Sequence, residues 1–235
     1  AGLDLFGAYL PRTFRLAALS ITRAKQSMSR VRIKICGLTR IDDVQLCVRA
    51  GADFIGIVLV PASKRAVSVD HAARLLQHVR PFAKSVLLFM DADHAAVEHA
   101  VRQLHPDFLQ FHGSESADFC DSFQTPYLKA IPFHDPQYAL AQTLHYPGAA
   151  ALLADGHGVG EQGGSGSKIA AATRLPTQYG WFLAGGLDAT NVGAAITVHR
   201  PFAVDVASGV ESAPGIKDPL KVQAFIAEVM KHHAS

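Results

Sequence analysis

Short apolar runs alternate with longer amphipathic stretches from residue 31 to the end of the chain. The runs occupy residues 31–36, 54–59, 85–89, 108–111, 127–131, 149–153, 181–184 and 202–206, and they are rich in Val, Ile, Leu and Phe. Strands covered by helices on both faces have this composition, because neither face meets water. Between the runs, residues 41–50, 69–79, 94–104, 190–198 and 219–230 place apolar side chains at helical spacing. Thr39 stands before the first of these as its expected N-cap, and Ala50-Gly51-Ala52 reads as its C-terminal turn. Strands alternating with helices predict a parallel sheet, and eight such units favour closure into a (β/α)8 TIM barrel, with residues 28–235 as a single domain. An open doubly wound sheet shares the alternation, but no G-x-G-x-x-G follows the first strand.

The composition suits a large core: 49% of the 235 residues are hydrophobic and 18% charged, which excludes a disordered chain. A net charge of +2 without a block of like charge gives no nucleic-acid or membrane surface. The apolar runs are far shorter than a membrane span. Three cysteines, Cys36, Cys47 and Cys120, form no disulfide framework, so a reduced, cytoplasmic protein is expected. The twelve His have no metal-ligand spacing, and no metal is expected. Residues 1–27 carry Arg12, Arg15, Arg23 and Lys25 against the single acid Asp4. Such a stretch can be a transit peptide, but every barrel element begins after Met28, so it is read as an extension outside the fold.

A barrel of this kind does its chemistry at the C-terminal strand ends and the loops that follow. That rule selects Cys36, Arg65, His112, Asp155, the Gly185-Gly186 pair and the Ser208-Gly209 pair. A cysteine is ordinarily a small packing residue, and Cys47, on a helix, is read so. Cys36 ends a strand and is followed by Gly37, which opens space for a substrate, so packing and catalysis are evenly balanced there. Asp155 alone could cap a turn. The long glycine-rich segment 156–166 behind it suggests a cover under which a partly desolvated carboxyl keeps a proton to donate. Gly163-Gly-Ser165-Gly, Gly185-Gly186 and Ser208-Gly209 follow strands six, seven and eight, where backbone N–H groups can converge on a phosphate. Arg65 is either a solvated loop cation or a two-pronged grip on a carboxylate. His112 lines the mouth.

Taken together, these positions resemble the phosphoribosylanthranilate isomerase family of tryptophan biosynthesis, from about Val31 onward. The resemblance is carried by Lys34-Ile-Cys-Gly-Leu-Thr39, Ser63-Lys-Arg65, Gln110-Phe-His-Gly113, Leu183-Ala-Gly-Gly-Leu187 and Asp205-Val-Ala-Ser-Gly-Val-Glu211, continuing to Pro214-Gly-Ile-Lys-Asp218. It implies a cofactor-free Amadori rearrangement of N-(5-phosphoribosyl)anthranilate. Cys36 is then the general base, Asp155 the general acid and Arg65 the contact to the anthranilate carboxylate. Its only implied partner is a small phosphorylated substrate, with no nucleic acid, membrane or obligate protein partner. Two departures stand out: Gly163-Gly-Ser-Gly166 replaces the family's Gly-Gly-Thr-Gly, and Ile169-Ala-Ala171 stands where an aromatic-Asp-Trp run is usual. An indole-glycerol-phosphate synthase would instead need lysines at strand ends, for which Lys34 and Lys129 are the candidates. A histidine-pathway isomerase would place Asp at position 36. A silent barrel that only binds a phosphorylated ligand is the remaining alternative, and the presence of both Cys36 and Asp155 speaks against it.

Overall fold

The computed structural model describes residues 30–133, 136–156 and 180–232. Ser165, with the rest of the glycine segment after residue 156, and the first 29 residues lie outside the described residues.

Eight parallel strands close on themselves: β1 (Arg32–Cys36), β2 (Phe54–Val58), β3 (Lys84–Phe89), β4 (Phe108–Phe111), β5 (Tyr127–Pro132), β6 (Ala151–Asp155), β7 (Trp181–Leu183) and β8 (Ala203–Val206). Each pairs with its neighbour in sequence, and β8 pairs with β1, with Lys34 opposite Asp205. The described helices are α1 (Ile41–Ala50), α2 (Val69–Leu76), α3 (His94–Leu104), α4 (Ala117–Asp121), α5 (Pro136–His145), α6 (Val192–His199) and α7 (Pro219–Met230). After β8 comes a short 3-10 turn, Ser208–Val210, and then a small hairpin, β9 (Glu211–Ala213) with β10 (Ile216–Lys217).

Both faces of the barrel wall are apolar, as the unbroken runs require. Ile33, Ile35, Ile55, Ile57, Leu87 and Phe89 pack outward with residues of the helix layer. Phe54, Val86, Leu128, Leu153, Phe182 and Ala203 form a second cluster that fills the barrel interior. Phe54 meets Phe182 edge-on, with ring centroids 5.2 Å apart. Because successive strand residues point to opposite faces, the inner positions run from these apolar side chains to polar ones at the C-terminal ends. Lys34, Cys36, Gln110, Asp155 and Asp205 reach the mouth in this way.

Several sequence expectations shift. The N-cap of α1 is Arg40, without a side-chain cap, because the Thr39 hydroxyl donates instead to the Gly215 carbonyl. Gly51 ends α1 in the left-handed conformation, φ 102°, as its glycine allows. Strand β6 runs to Asp155, two residues past the apolar run, so the acid is the last strand residue. Helices α4 and α5 were not anticipated: α4 has only five residues, and α5 leaves Leu140 and Leu144 exposed, which blurs its apolar stripe.

Candidate active site

Cys36 ends β1, two residues beyond Lys34 on the same inner face. Lys34 is fully buried and donates to both carboxylate oxygens of Asp205, at 2.9 Å each. Burial alone would strip the proton from this ammonium, but the charges of Asp205 and Cys36 hold its pKa above the ordinary lysine value. Burial pushes the Cys36 thiol above the ordinary cysteine range. The Lys34 ammonium pulls it back down by charge and by a hydrogen bond, Asp205 pushes it up, and Lys217 pulls it down. The sulfur therefore sits between a dry wall and two ammonium groups.

Arg65 comes from the loop after β2, and its stem lies over Gly37, whose φ of 76° suits glycine alone. Arg65 does grip a carboxylate through two parallel bonds, and that carboxylate is Glu211 of the same chain: Nε to Oε1 is 2.8 Å and Nη2 to Oε2 is 2.6 Å. Glu211 also accepts from Lys217 Nζ at 2.8 Å. The same ammonium donates to the carbonyl oxygens of Cys36, at 2.7 Å, and Ala207, at 3.1 Å. Burial would raise the Glu211 carboxyl, but Arg65 and Lys217 hold it below the usual range. This knot ties the ends of β1 and β8 and the β2 loop together.

On the other side of the mouth, Asp155 is buried, and His112 Nε2 lies 3.4 Å from its Oδ2. The second ring nitrogen of His112 is 3.1 Å from Gln110 Nε2. Gly185, with φ 97°, lets the loop after β7 run against Asp155. A Cβ there would lie 2.6 Å from the Gly156 nitrogen and 3.1 Å from Asp155 Oδ1. A Cβ on Gly209 would collide with the Leu187 carbonyl oxygen, so the loops after β7 and β8 touch at Gly209. Gly186 also has positive φ, 60°, and its carbonyl accepts from Asn191 Nδ2 at 2.9 Å. Gly185, Gly186, Ser208 and Gly209 thus converge on one rim, next to Asp155.

Lys129 faces outward, in a buried ion pair with Glu115 at 2.9 Å, and takes no part in the mouth. Among the described residues, no group of three or more His, Cys, Asp and Glu side chains could hold a metal ion. Sequence reasoning gave no role to Gly56, Gln110, Asp205, Glu211 or Lys217. Lys34 and Asp205, each a lone charge inside an apolar strand, carried a usable signal, since a buried charge needs a partner.

The family model described as N-(5'phosphoribosyl)anthranilate (PRA) isomerase matches residues 33–228. An N-(5'-phosphoribosyl)anthranilate isomerase from Halorhodospira halophila is 45% identical over 200 residues, covering 85% of this chain and 97% of its own. One from Nitrosomonas europaea is 42% identical over 205 residues, covering 85% and 95%. Among solved structures, phosphoribosyl anthranilate isomerase from Thermotoga maritima superposes with a TM-score of 0.77 at 32% identity, covering 86% of this chain and 100% of that one. A phosphoribosyl anthranilate isomerase in complex with reduced 1-(o-carboxyphenylamino)-1-deoxyribulose 5-phosphate superposes with a TM-score of 0.73 at 30% identity, with the same coverage. With the barrel closed and the motifs gathered at one mouth, the chain belongs to the N-(5'-phosphoribosyl)anthranilate isomerase family.

Proposed function

We propose that this chain converts N-(5'-phosphoribosyl)anthranilate to 1-(2-carboxyphenylamino)-1-deoxyribulose 5-phosphate in tryptophan biosynthesis, with Cys36 as general base and Asp155 as general acid. The observation that carries this reading is the pairing, at one barrel mouth, of a buried thiol next to two ammonium groups with a buried carboxyl on β6. Asp155 protonates the ribose ring oxygen, and the ring opens as the anilino nitrogen forms an iminium. The Cys36 thiolate takes the proton from the sugar's second carbon, and the resulting enolamine tautomerises to the ketone. The substrate's iminium is the electron sink, so the reading calls on no metal and no coenzyme.

Gly185, Gly186, Ser208 and Gly209 offer backbone N–H groups to the phosphate, with Ser165 as a further donor. Arg65, fixed by Glu211, brings its charge toward the anthranilate carboxylate. His112 lines the mouth beside Asp155. Residues 28–235 are the working unit, a cytoplasmic enzyme whose partner is its small phosphorylated substrate, without nucleic acid, membrane or obligate protein partner. No helix among the described residues is long and apolar enough to cross a membrane.

The test follows the fluorescence of phosphoribosylanthranilate generated in situ. Cys36→Ser and Asp155→Asn should each abolish most turnover while product affinity and melting temperature stay nearly unchanged. Cys47→Ser and Cys120→Ser should keep activity. Near-normal turnover by Cys36→Ser would reduce the cysteine to a packing residue and end this mechanism.

A further inference from the structure

Each turnover of the proposed acid–base pair leaves both groups in the wrong state. Asp155 has given its proton to the ring oxygen and is a carboxylate, and Cys36 has taken one from carbon and is a thiol. The later tautomerisation gains a proton at the first carbon and loses one from the hydroxyl of the second, so it adds nothing net. Before the next substrate, Asp155 must therefore gain a proton and Cys36 must lose one.

We infer that His112 is the relay through which Asp155 recovers its proton, with the Gln110 amide as the adjustable partner behind it. The inference rests on the reading of Asp155 as the acid. His112 Nε2 is 3.4 Å from Asp155 Oδ2, and a sub-ångström shift of either side chain brings the two into hydrogen-bond distance. The imidazole is 19% exposed, so it meets solvent where Asp155, at 10%, is more enclosed. Gln110 is 1% exposed, its Nε2 lies on His112 Nδ1 at 3.1 Å, and its buried Oε1 has no hydrogen-bond partner among the described residues.

These contacts define two states that differ by one proton. With the amide N–H donating to a bare Nδ1, the ring carries its hydrogen on Nε2 and offers it to the Asp155 carboxylate. This is the arrangement after the acid is spent. When the ring takes a second proton from water or buffer, a half-turn of the amide lets Oε1 accept from Nδ1–H. The Nε2 hydrogen then passes to Oδ2. Asp155 is protonated again, hydrogen-bonded to a neutral imidazole whose Nδ1–H is held by the glutamine. The buried oxygen that lacks a partner in the first state acquires one in the second.

A relay and a substrate contact part company in kinetics. His112→Gln and His112→Asn should lower kcat by about ten- to a hundredfold, with KM within about twofold, and imidazole added to the buffer should restore much of the loss. Gln110→Met, which keeps the imidazole, should lower kcat in the same direction. A raised KM at unchanged kcat, a loss that imidazole does not repair in either His112 variant, or full kcat in all three variants would overturn the relay. Asp155→Asn in the same assay separates the two readings. If it is inactive with and without imidazole, the acid assignment stands whatever His112 does. If it turns over normally, the acid assignment fails and the relay fails with it.

Discussion

Gly56 stands opposite Cys36 in the pairing of β1 with β2, and a Cβ built on it would lie 2.6 Å from the Cys36 sulfur and 3.0 Å from its Cα. The thiol fills the volume that any other residue at position 56 would claim. A glycine inside a strand loosens it, and here that cost makes room for the proposed base.

Gly56→Ala should therefore displace the sulfur. The overpacking costs about 1–3 kcal/mol of stability, and the shift of a reacting atom should lower kcat more than it raises KM. Thermal melts, steady-state kinetics and the rate of Cys36 alkylation measure the three effects. Unchanged kcat and alkylation would mean the thiol has room elsewhere.

Lys34→Met should be costly for a different reason. It leaves Asp205 buried without its ammonium, a loss of about 3–5 kcal/mol, and it removes the strongest pull toward thiolate at Cys36. Alkylation of Cys36 should then need higher pH than in the parent enzyme. The double variant Lys34→Met/Asp205→Leu should recover stability in urea denaturation while activity stays low. Recovery of both would make the ion pair purely structural.

For Arg65→Ala, kcat/KM on the natural substrate should fall by on the order of 1.5–3 kcal/mol, and less on an analogue lacking the anthranilate carboxylate. Glu211→Gln should weaken the same discrimination with the guanidinium still present, because its anchor is lost. Equal losses on both substrates would assign Arg65 to the loop and away from recognition.

Alkaline pH should destabilise the protein through its buried thiols. Burial pushes Cys47 and Cys120 up to about 12, against about 8.5 for an unfolded cysteine. The folded state keeps these protons where the unfolded chain releases them. Their contribution is complete below the unfolded pKa and is lost as pH climbs from there toward 12. Unfolding free energy from urea titrations should fall between pH 8 and 11, and less steeply in Cys47→Ala and Cys120→Ala. Slopes unchanged in both variants would place the alkaline loss in other groups.

The barrel was legible because its physics is local: a strand covered on both faces must be apolar along its whole length, and eight such runs leave few ways to close. The places of Cys36 and Asp155 at the mouth were legible because strand ends there are few. Asp205 and Glu211 lay in a quoted motif without a role, since their partners Lys34 and Arg65 are 171 and 146 residues away. A lone charge in an apolar strand signals that a partner exists, but no local pattern says which distant residue it is. Gly56 looked like one more small residue in an apolar run, although a mid-strand glycine signals close approach. Helix α5 was missed because its apolar side chains do not keep to one face; Ala139 is buried while Leu144 is exposed.

Because β1 is closed by β8, the first strand leaves the ribosome long before its second neighbour exists. At roughly 5–20 residues per second, Lys34 waits about 9–34 s for Asp205, 171 residues later. Throughout that interval β1 has one unpaired edge and a lysine with no counter-charge, so the nascent chain is a sheet with an open seam. Such edges recruit chaperones or one another. Sealing the barrel and completing the surroundings of Cys36 then share one contact, since the pairing that closes the seam also supplies the ammonium beside Cys36 with its counter-ion. A chain that stalls before β8 is both unsealed and catalytically incomplete.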